Sequence, residues 1–118
     1  MAYTVRAVDT SRPETQALLH HLQKVCLPGD IVFPTDQGYW WVVYHDGTTP
    51  VGFGGIVRST RWYDCGYLCR AGIVSAHRGH GLQKRLIRVR INKARKLGWN
   101  WVVRSEEHTS ELQSQSTI

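Results

Sequence analysis

Residues 73–103 read IVSAHRGHGLQKRLIRVRINKARKLGWNWVV, and this stretch decides the fold. Its pattern predicts the end of a strand, a turn with two glycines, a helix over about residues 82–97 and a second strand over residues 99–103. Gly98 lies where a helix is expected to end, and the residues after it are apolar and β-prone. The stretch therefore predicts a strand–turn–helix–strand unit.

The turn at residues 77–81, His-Arg-Gly-His-Gly, is typical of a phosphate or pyrophosphate site. Backbone N–H groups and the positive end of a helix dipole converge where a strand turns into a helix. Glycines let an anion approach the main chain, and Arg78 adds guanidinium donors. The pattern lacks the Gly-Lys-Ser/Thr ending of a P-loop, and Lys84 replaces the third glycine of a dinucleotide fingerprint. An ordinary strand-to-helix turn explains the local residues equally well.

Residues 74–86, VSAHRGHGLQKRL, resemble motif A of the GNAT family of N-acetyltransferases. The family pattern is Arg/Gln-x-x-Gly-x-Gly/Ala, after a strand that ends in an aliphatic residue. In the register that we favour, Arg78 comes first, Gly81 is the first required glycine, and Gln83 replaces the second. A register that begins at Ala76 keeps two glycines but loses the leading Arg or Gln. The departure at Gln83 makes that one backbone position less certain.

The resemblance implies that this turn binds the pyrophosphate of acetyl-CoA and that the preceding strand pairs with the pantetheine arm. It implies transfer of acetyl from acetyl-CoA to a primary amine, which attacks the thioester directly while both substrates are bound. A backbone N–H near Ile73 or Val74 would then stabilise the oxyanion. The residues that would hold the cofactor are Ile73, Val74, Arg78, Gly79, His80, Gly81, Leu82 and Gln83.

The rest of the chain predicts the element order β-α-β-β-β-α-β. In chain order the predicted elements are the strand 3–8, the helix 13–26, the strands 39–44, 51–57 and 67–74, the helix 82–97 and the strand 99–103. The residues of the first helix expected to face the core are Ala17, Leu18, Leu22 and Val25. Gly52, Gly54 and Gly55 leave room for a neighbouring chain or ligand, or mark a bulge. The order resembles the GNAT fold, an α/β (α+β) class with a mixed, mostly antiparallel sheet flanked by helices, with its C-terminal part missing.

No general base stands out in the sequence. Tyr67 and Cys65, near the start of the fourth strand, are weak catalytic candidates, and structural roles explain them more simply. The three cysteines form no CxxC pair, and Cys65 and Cys69 would lie roughly 13 Å apart on a strand, too far for a disulfide. Because no ligand spacing indicates zinc, we expect free thiols and no metal site.

The 118 residues suffice for one domain, and the hydrophobic content of 42% suffices for a packed core. There is no apolar run of 18 residues and no apolar N-terminal signal, so we expect a cytoplasmic protein without a membrane contact. Seven basic residues lie between Lys84 and Lys96, and one face of an amphipathic helix accounts for most of them. Arg90 and Lys93 enter the apolar side, where we expect their stems to lie along it.

Two other functions remain open. A small basic nucleic-acid-binding module could stack bases on aromatic residues beside arginine, as in Arg61-Trp62-Tyr63 or the run 40–44. Against this, the apolar pattern of these runs is typical of a core, so no nucleic acid is expected. A non-catalytic GNAT-like interaction domain is the other alternative. The acceptor, a small-molecule or peptide amine, and the oligomeric state cannot be read from the sequence.

Residues 104–118, RSEEHTSELQSQSTI, differ from the rest of the chain because they are polar and lack aromatic residues. The first eleven, 104–114, resemble the translation of a widely used DNA-sequencing adapter. We therefore predict an incomplete N-acetyltransferase domain over residues 1–103 and a non-native or disordered tail over 104–118. The family would continue with a further helix that often carries a tyrosine acting as general acid. Without it we expect a weak or inactive catalyst, even where CoA binds.

Overall fold

The computed structural model describes residues 2–104 and 116–117. The strands are β1 (Tyr3–Val8), β2 (Tyr39–His45), β3 (Thr49–Arg58), β4 (Cys65–Ile73), β5 (Trp101–Val103) and β6 (Ser116–Thr117). The helices are α1 (Pro13–Cys26) and α2 (Leu82–Lys96), and a single 3-10 turn, Ser75–His77, links β4 to the approach of α2. The predicted element order and fold class are confirmed. The predicted tail lies mostly outside the described residues, apart from residue 104 and the β6 backbone.

One mixed sheet runs in the order β1-β2-β3-β4-β5-β6. All of its neighbours are antiparallel except β4 and β5, which are parallel because α2 crosses over between them. The β4–β5 pairing spans only Cys65↔Trp101 to Tyr67↔Val103. Within the described part of the chain, β4 therefore has no strand partner on its β5 side from Leu68 to Ile73.

The two helices cover opposite faces of the sheet. Leu82, Leu86 and Ala94 of α2 pack in one buried cluster, and Leu19, Leu22 and Cys26 of α1 pack in the other. Strand β2 supplies both clusters, with Trp41 and Val43 on the α2 side and Trp40 and Val42 on the α1 side. A central strand covered on both faces has no polar side, which explains the continuous apolar run YWWVV at residues 39–43.

The predicted core face of α1 is wrong at several positions. Its buried residues are Leu19, Leu22, Gln23 and Cys26, whereas Ala17 is exposed and Val25 is 47% exposed. The helix is rotated relative to the prediction because Gln23 faces inward. Its side chain donates to Phe33 O (3.0 Å) and accepts from Phe33 N–H (2.8 Å). This buried amide clamps the loop after α1 against the helix, so a polar residue occupies the inward face.

Arg90 is a second polar residue inside the fold. The sequence predicts only that its stem lies along the core, yet the whole residue is 4% exposed. It donates from Nη1 to Gly55 O and from Nε to Leu86 O, both at 3.1 Å. The β3–β4 register shifts between Gly54 and Ile56, so Gly55 lies in an irregularity of the ladder. The bulge interpretation is therefore confirmed at Gly55, and Arg90 binds the carbonyl at that point.

Neither described helix is long and apolar enough to cross a membrane. Cys26, Cys65 and Cys69 are all buried free thiols. Burial raises the pKa of Cys69 to about 11 and also raises the pKa of Cys26, where the nearby Arg78 charge opposes the effect. Among the described residues, no group of three or more His, Cys, Asp or Glu side chains is arranged to hold a metal ion.

Candidate functional site

The turn between β4 and α2 is built around two left-handed glycines. Gly79 has φ +90 and Gly81 has φ +71, a region that residues with a Cβ rarely adopt. Nothing lies within 4 Å of a Cβ added at either position. The glycines are therefore required by the backbone conformation, and the space in front of the turn is open.

The backbone amides of residues 79–83 belong to this turn and to the first residues of α2. Helix α2 has no side-chain cap at its first residue, and its backbone bonding begins with Arg85 N–H to Gly81 O at 3.2 Å. Among the described groups, no partner accepts a hydrogen bond from the amides of 79–83, as expected for a helix start without a cap. The amide of Arg78 differs, because it donates to Ser75 O at 3.3 Å. We call these five unpaired donors at the positive end of a helix, an arrangement typical of anion sites, the cradle.

The two candidate oxyanion donors, the N–H groups of Ile73 and Val74, differ in their hydrogen bonding. Val74 N–H donates to Val51 O at 2.8 Å, inside the sheet. In a strand, the N–H groups of adjacent residues point to opposite edges. The N–H of Ile73, the residue before Val74, therefore faces the unpaired side of β4. Arg78 Nε donates to Ile73 O at 3.1 Å, which ties the turn to this edge. Ile73 is therefore the available donor of the two.

The structure brings the eight predicted cofactor residues into one continuous segment. Ile73 and Leu82 anchor it, since their side chains are 3% exposed and belong to the α2-side core. The exposed members are Arg78, Gly79, His80, Gly81 and Gln83. The catalytic candidates lie elsewhere: Tyr67 is six residues before Ile73 on β4, roughly 20 Å away at about 3.3 Å per residue. Cys65 is further still and 1% exposed.

Two residues that sequence reasoning missed lie beside this turn. Tyr3, at the start of β1, binds His77 Nδ1 through its hydroxyl at 3.0 Å, and its ring lies 5.0 Å from that of His80. His45, at the end of β2, has its ring 5.0 Å from the rings of both Tyr3 and His77. No local motif identifies Tyr3 or His45. Only the β1–β2 register, which pairs them directly, could have found them.

A separate cleft of about 660 Å³ opens where β4 begins. Aromatic side chains line much of it, together with one arginine: Phe33, Tyr39, Arg58, Tyr67 and Trp99. Arg58 stacks on Trp99 with its guanidinium carbon 5.5 Å from the ring centroid. Within the described part of the chain, no Asp or Glu lines this cleft.

A family model described as the acetyltransferase (GNAT) family matches residues 7–111. The chain belongs to the GNAT family. Membership confirms the predicted family, the N-acetyltransferase class and acetyl-CoA as co-substrate. No sequence among the curated proteins matches the chain.

Solved structures share this GNAT fold at low sequence identity. A provisionally assigned N-acetyltransferase from Lactobacillus plantarum is 19% identical, with 93% of this chain and 79% of that chain covered and a TM-score of 0.72. Aminoglycoside N-acetyltransferase AAC(6')-Iy in complex with CoA is 16% identical, with 98% and 90% covered and a TM-score of 0.68. A GNAT acetyltransferase from Brucella melitensis in complex with acetyl-CoA is 13% identical, with 94% and 81% covered and a TM-score of 0.65.

Proposed function

We propose that the amides of residues 79–83 bind the diphosphate of acetyl-CoA, and that this domain positions the thioester for attack by a primary amine. The observation that carries the proposal is the cradle itself: five unpartnered amides at the start of α2, in front of two glycines with open space above them. Arg78 assists by tying the turn to β4, and His80, Gln83 and the other predicted cofactor residues flank it.

The unpaired edge of β4 is the proposed site of the pantetheine arm. From Leu68 to Ile73 this edge has no strand partner, and an extended ligand can pair with its N–H and C=O groups as a neighbouring strand would, apart from Ile73 O, which already accepts from Arg78 Nε. The arm would lead from the cradle toward the point where β5 begins to pair. Ile73 N–H lies at the cradle end of this edge and would pair with the arm, so the donor to the negative charge on the thioester oxygen would lie nearer Leu68.

We assign this chain a positioning role and no general base. A base must lie within hydrogen-bond reach of the attacking amine, directly or through one water. The arm carries the thioester along β4 toward Tyr67, whereas burial removes Cys65 from contact with substrate. Cys65 is therefore disfavoured, Tyr67 is assigned no role as a base, and rate enhancement would come from holding the two substrates together.

The aromatic cleft beside Tyr67 is the proposed entry for the acceptor. It offers aromatic faces and one guanidinium, whereas a polycationic amine would need carboxylates. We therefore propose a small-molecule or peptide amine with an apolar or anionic body. Residues 27–38, which border this cleft, are held by Gln23 and by Arg70, whose Nη2 donates to Ile31 O at 3.5 Å.

We propose residues 1–103 as the extent of the N-acetyltransferase domain and the cytoplasm as its location. Three buried cysteines without a disulfide are typical of a reducing compartment. Of the two aromatic runs considered for nucleic acid, Trp40 and Trp41 are 1% and 8% exposed and present no stacking surface, whereas Tyr63 is 93% exposed. A nucleic-acid partner is not proposed, because one exposed ring does not supply the successive stacking rings of a single-strand site.

The proposal is tested by thermal shift and calorimetry with CoA, pantetheine and single-stranded DNA. We expect CoA to raise Tm and bind, pantetheine to bind much more weakly because it lacks the diphosphate, and DNA to have no effect. Stabilisation by DNA but not by CoA would support the nucleic-acid alternative instead. Detectable acetyl transfer to any amine would exclude the non-catalytic interaction domain, whereas CoA binding without transfer fits both interpretations, because a weak or inactive catalyst is expected here.

A further inference from the structure

Four rings from three separate parts of the chain meet beside the turn that precedes α2. Tyr3 comes from β1, His45 from β2, and His77 and His80 from the turn. The Tyr3 ring centroid lies 5.0 Å from those of His45 and His80 and 5.9 Å from that of His77, and the His45 and His77 centroids are 5.0 Å apart. We call these four residues the histidine wall.

Backbone pairing and one arginine hold the histidine wall against the turn. Tyr3 and His45 are direct partners in the β1–β2 ladder. Arg85, in the first turn of α2, donates from Nη1 to Tyr3 O at 3.3 Å, so the start of β1 is bound to the same helix that begins at the cradle. The wall is therefore held in place by strand pairing and by α2, the helix that begins at the cradle.

Charges around the histidine wall are mostly positive. The turn contributes Arg78, and the first turn of α2 contributes Lys84 and Arg85. The opposing charge is Asp46 of the β2–β3 hairpin, whose Oδ2 lies 3.5 Å from His45 Nδ1 and whose side chain is 67% exposed. The residues next to the wall in the chain therefore supply three cations and one solvated carboxylate.

The Tyr3–His77 hydrogen bond accommodates both protonation states. When His77 is neutral, the Tyr3 hydroxyl donates to Nδ1, which leaves Nε2–H as a donor. When His77 is charged, Nδ1–H donates to the Tyr3 oxygen instead. The ring keeps its place in either state, so it can gain a proton without a rearrangement.

We propose that the histidine wall completes the diphosphate site and takes up a proton when the diphosphate binds. The inference rests on the proposed function, because it needs an anion at residues 79–83. Imidazoles ordinarily titrate near pH 6.5, so a nearby change in charge alters their protonation at neutral pH. The diphosphate supplies the negative charge that the free protein lacks here, so the imidazolium form gains most when the ligand is bound. Binding should therefore tighten as pH falls.

Dephospho-CoA is the probe that isolates this effect. The phosphate monoester of CoA itself titrates near pH 6, whereas the diphosphate diester of dephospho-CoA has no such group. Calorimetry at pH 7 in two buffers of different ionisation enthalpy measures protons bound with the ligand. We expect uptake of about half a proton per ligand, and an affinity about five- to tenfold higher at pH 6 than at pH 8. Pantetheine, which has no diphosphate, should bind with no uptake.

Substitutions assign the proton to the histidine wall. His45→Gln, His77→Gln and His80→Gln should each reduce uptake, and the triple variant should abolish it and flatten the pH dependence. His20→Gln and His21→Gln, on the exposed face of α1, are the matched controls and should behave as wild type. If the triple variant does not fold, two milder substitutions are used instead. They are His80→Gln, at an exposed position, and Tyr3→Phe, which removes one hydroxyl.

The outcomes separate the inference from the proposed function. Binding of dephospho-CoA with no proton uptake, or uptake that the wall variants retain, would refute the proposed role of the histidine wall. The proposed diphosphate site at residues 79–83 would be unaffected by that result. Absence of binding by the wild-type protein overturns both. Uptake that falls in the wall variants and persists in the α1 controls supports the inference.

Discussion

Two Gly-x-Gly segments of this molecule look alike in sequence and differ in purpose. Gly52-Phe53-Gly54, followed by Gly55, lies in the central strand β3, and a Cβ added at Gly55 would lie 2.5 Å from the Trp40 ring. Gly79-His80-Gly81 precedes α2, and a Cβ added at either of its glycines would have nothing within 4 Å. The first segment makes room for the protein's own side chains, and the second has open space beside it, where we propose that a ligand binds.

The comparison teaches that glycine content alone does not identify a binding site. On β3 and β4 the positions require glycine because a neighbouring residue lies close. At Gly72, for example, an added Cβ would lie 2.6 Å from Cys26 Cβ. At the turn the positions require glycine because the backbone is left-handed there. Stability should therefore respond to the strand glycines, and ligand affinity to the turn glycines.

The largest effect is expected from Gly55→Ala. The new methyl group would collide with the ring of Trp40, which is 1% exposed. We expect a loss of about 2–3 kcal/mol in the free energy of unfolding, measured by urea denaturation. Gly29→Ala is the control, because nothing lies within 4 Å of a Cβ there. Equal stability of the two variants would contradict the packing role.

The second effect distinguishes the turn from an ordinary helix end. Gly81→Ala and Gly98→Ala introduce the same strain, since both glycines are left-handed (φ +71 and +81) with open space around them. Each should cost about 1 kcal/mol of stability. Only Gly81→Ala should weaken CoA binding, by about tenfold or more, because its Cβ projects into the cradle. Equal affinities by calorimetry would remove the cradle from the cofactor site.

A smaller effect tests the burial of Cys69 in the α1-side core. Burial raises the pKa of Cys69 to about 11, above its ordinary 9.0. A thiol whose pKa is higher in the folded state stabilises the fold below the unfolded pKa, and this contribution is lost as pH rises toward the folded pKa. The stability advantage of wild type over Cys69→Ala should therefore shrink as pH rises above about 9.

Thiol alkylation provides the companion measurement. At pH 8 iodoacetamide should modify Cys26, Cys65 and Cys69 at least about tenfold more slowly in the native protein than in urea, because each is a buried neutral thiol. Cys26, which is 9% exposed, should react before Cys65, which is 1% exposed. Rapid native modification of Cys26 would mean that its packing against Gly72 opens readily.

Deletion of residues 104–118 is expected to have the smallest effect. Neither glycine segment touches the described part of this stretch, in which the β6 backbone pairs with two residues of β5. We expect Tm to change by no more than about 2 °C and CoA affinity to stay the same. A fall of Tm by more than about 5 °C would extend the domain beyond the proposed boundary at Val103.

Much of the fold follows from local patterns in the chain. The bounds of β1 and α1 match their prediction, and α2 ends one residue earlier than predicted. The strand after α2 is shorter, because Trp99 turns into the α2-side core and β5 begins at Trp101. The predicted cofactor segment is also local, since one strand end, one turn and one helix start lie next to each other in sequence.

Sequence by itself thus determined the element order, the family and the segment that forms the cradle, because each depends on residues a few positions apart. The tertiary structure alone decided which face of α1 is buried, where Arg90 donates, and that Tyr3 and His45 meet His77. Those contacts join residues up to 74 positions apart, as between Tyr3 and His77. Strand register and helix rotation are set by packing of the whole molecule, so no local pattern contains them.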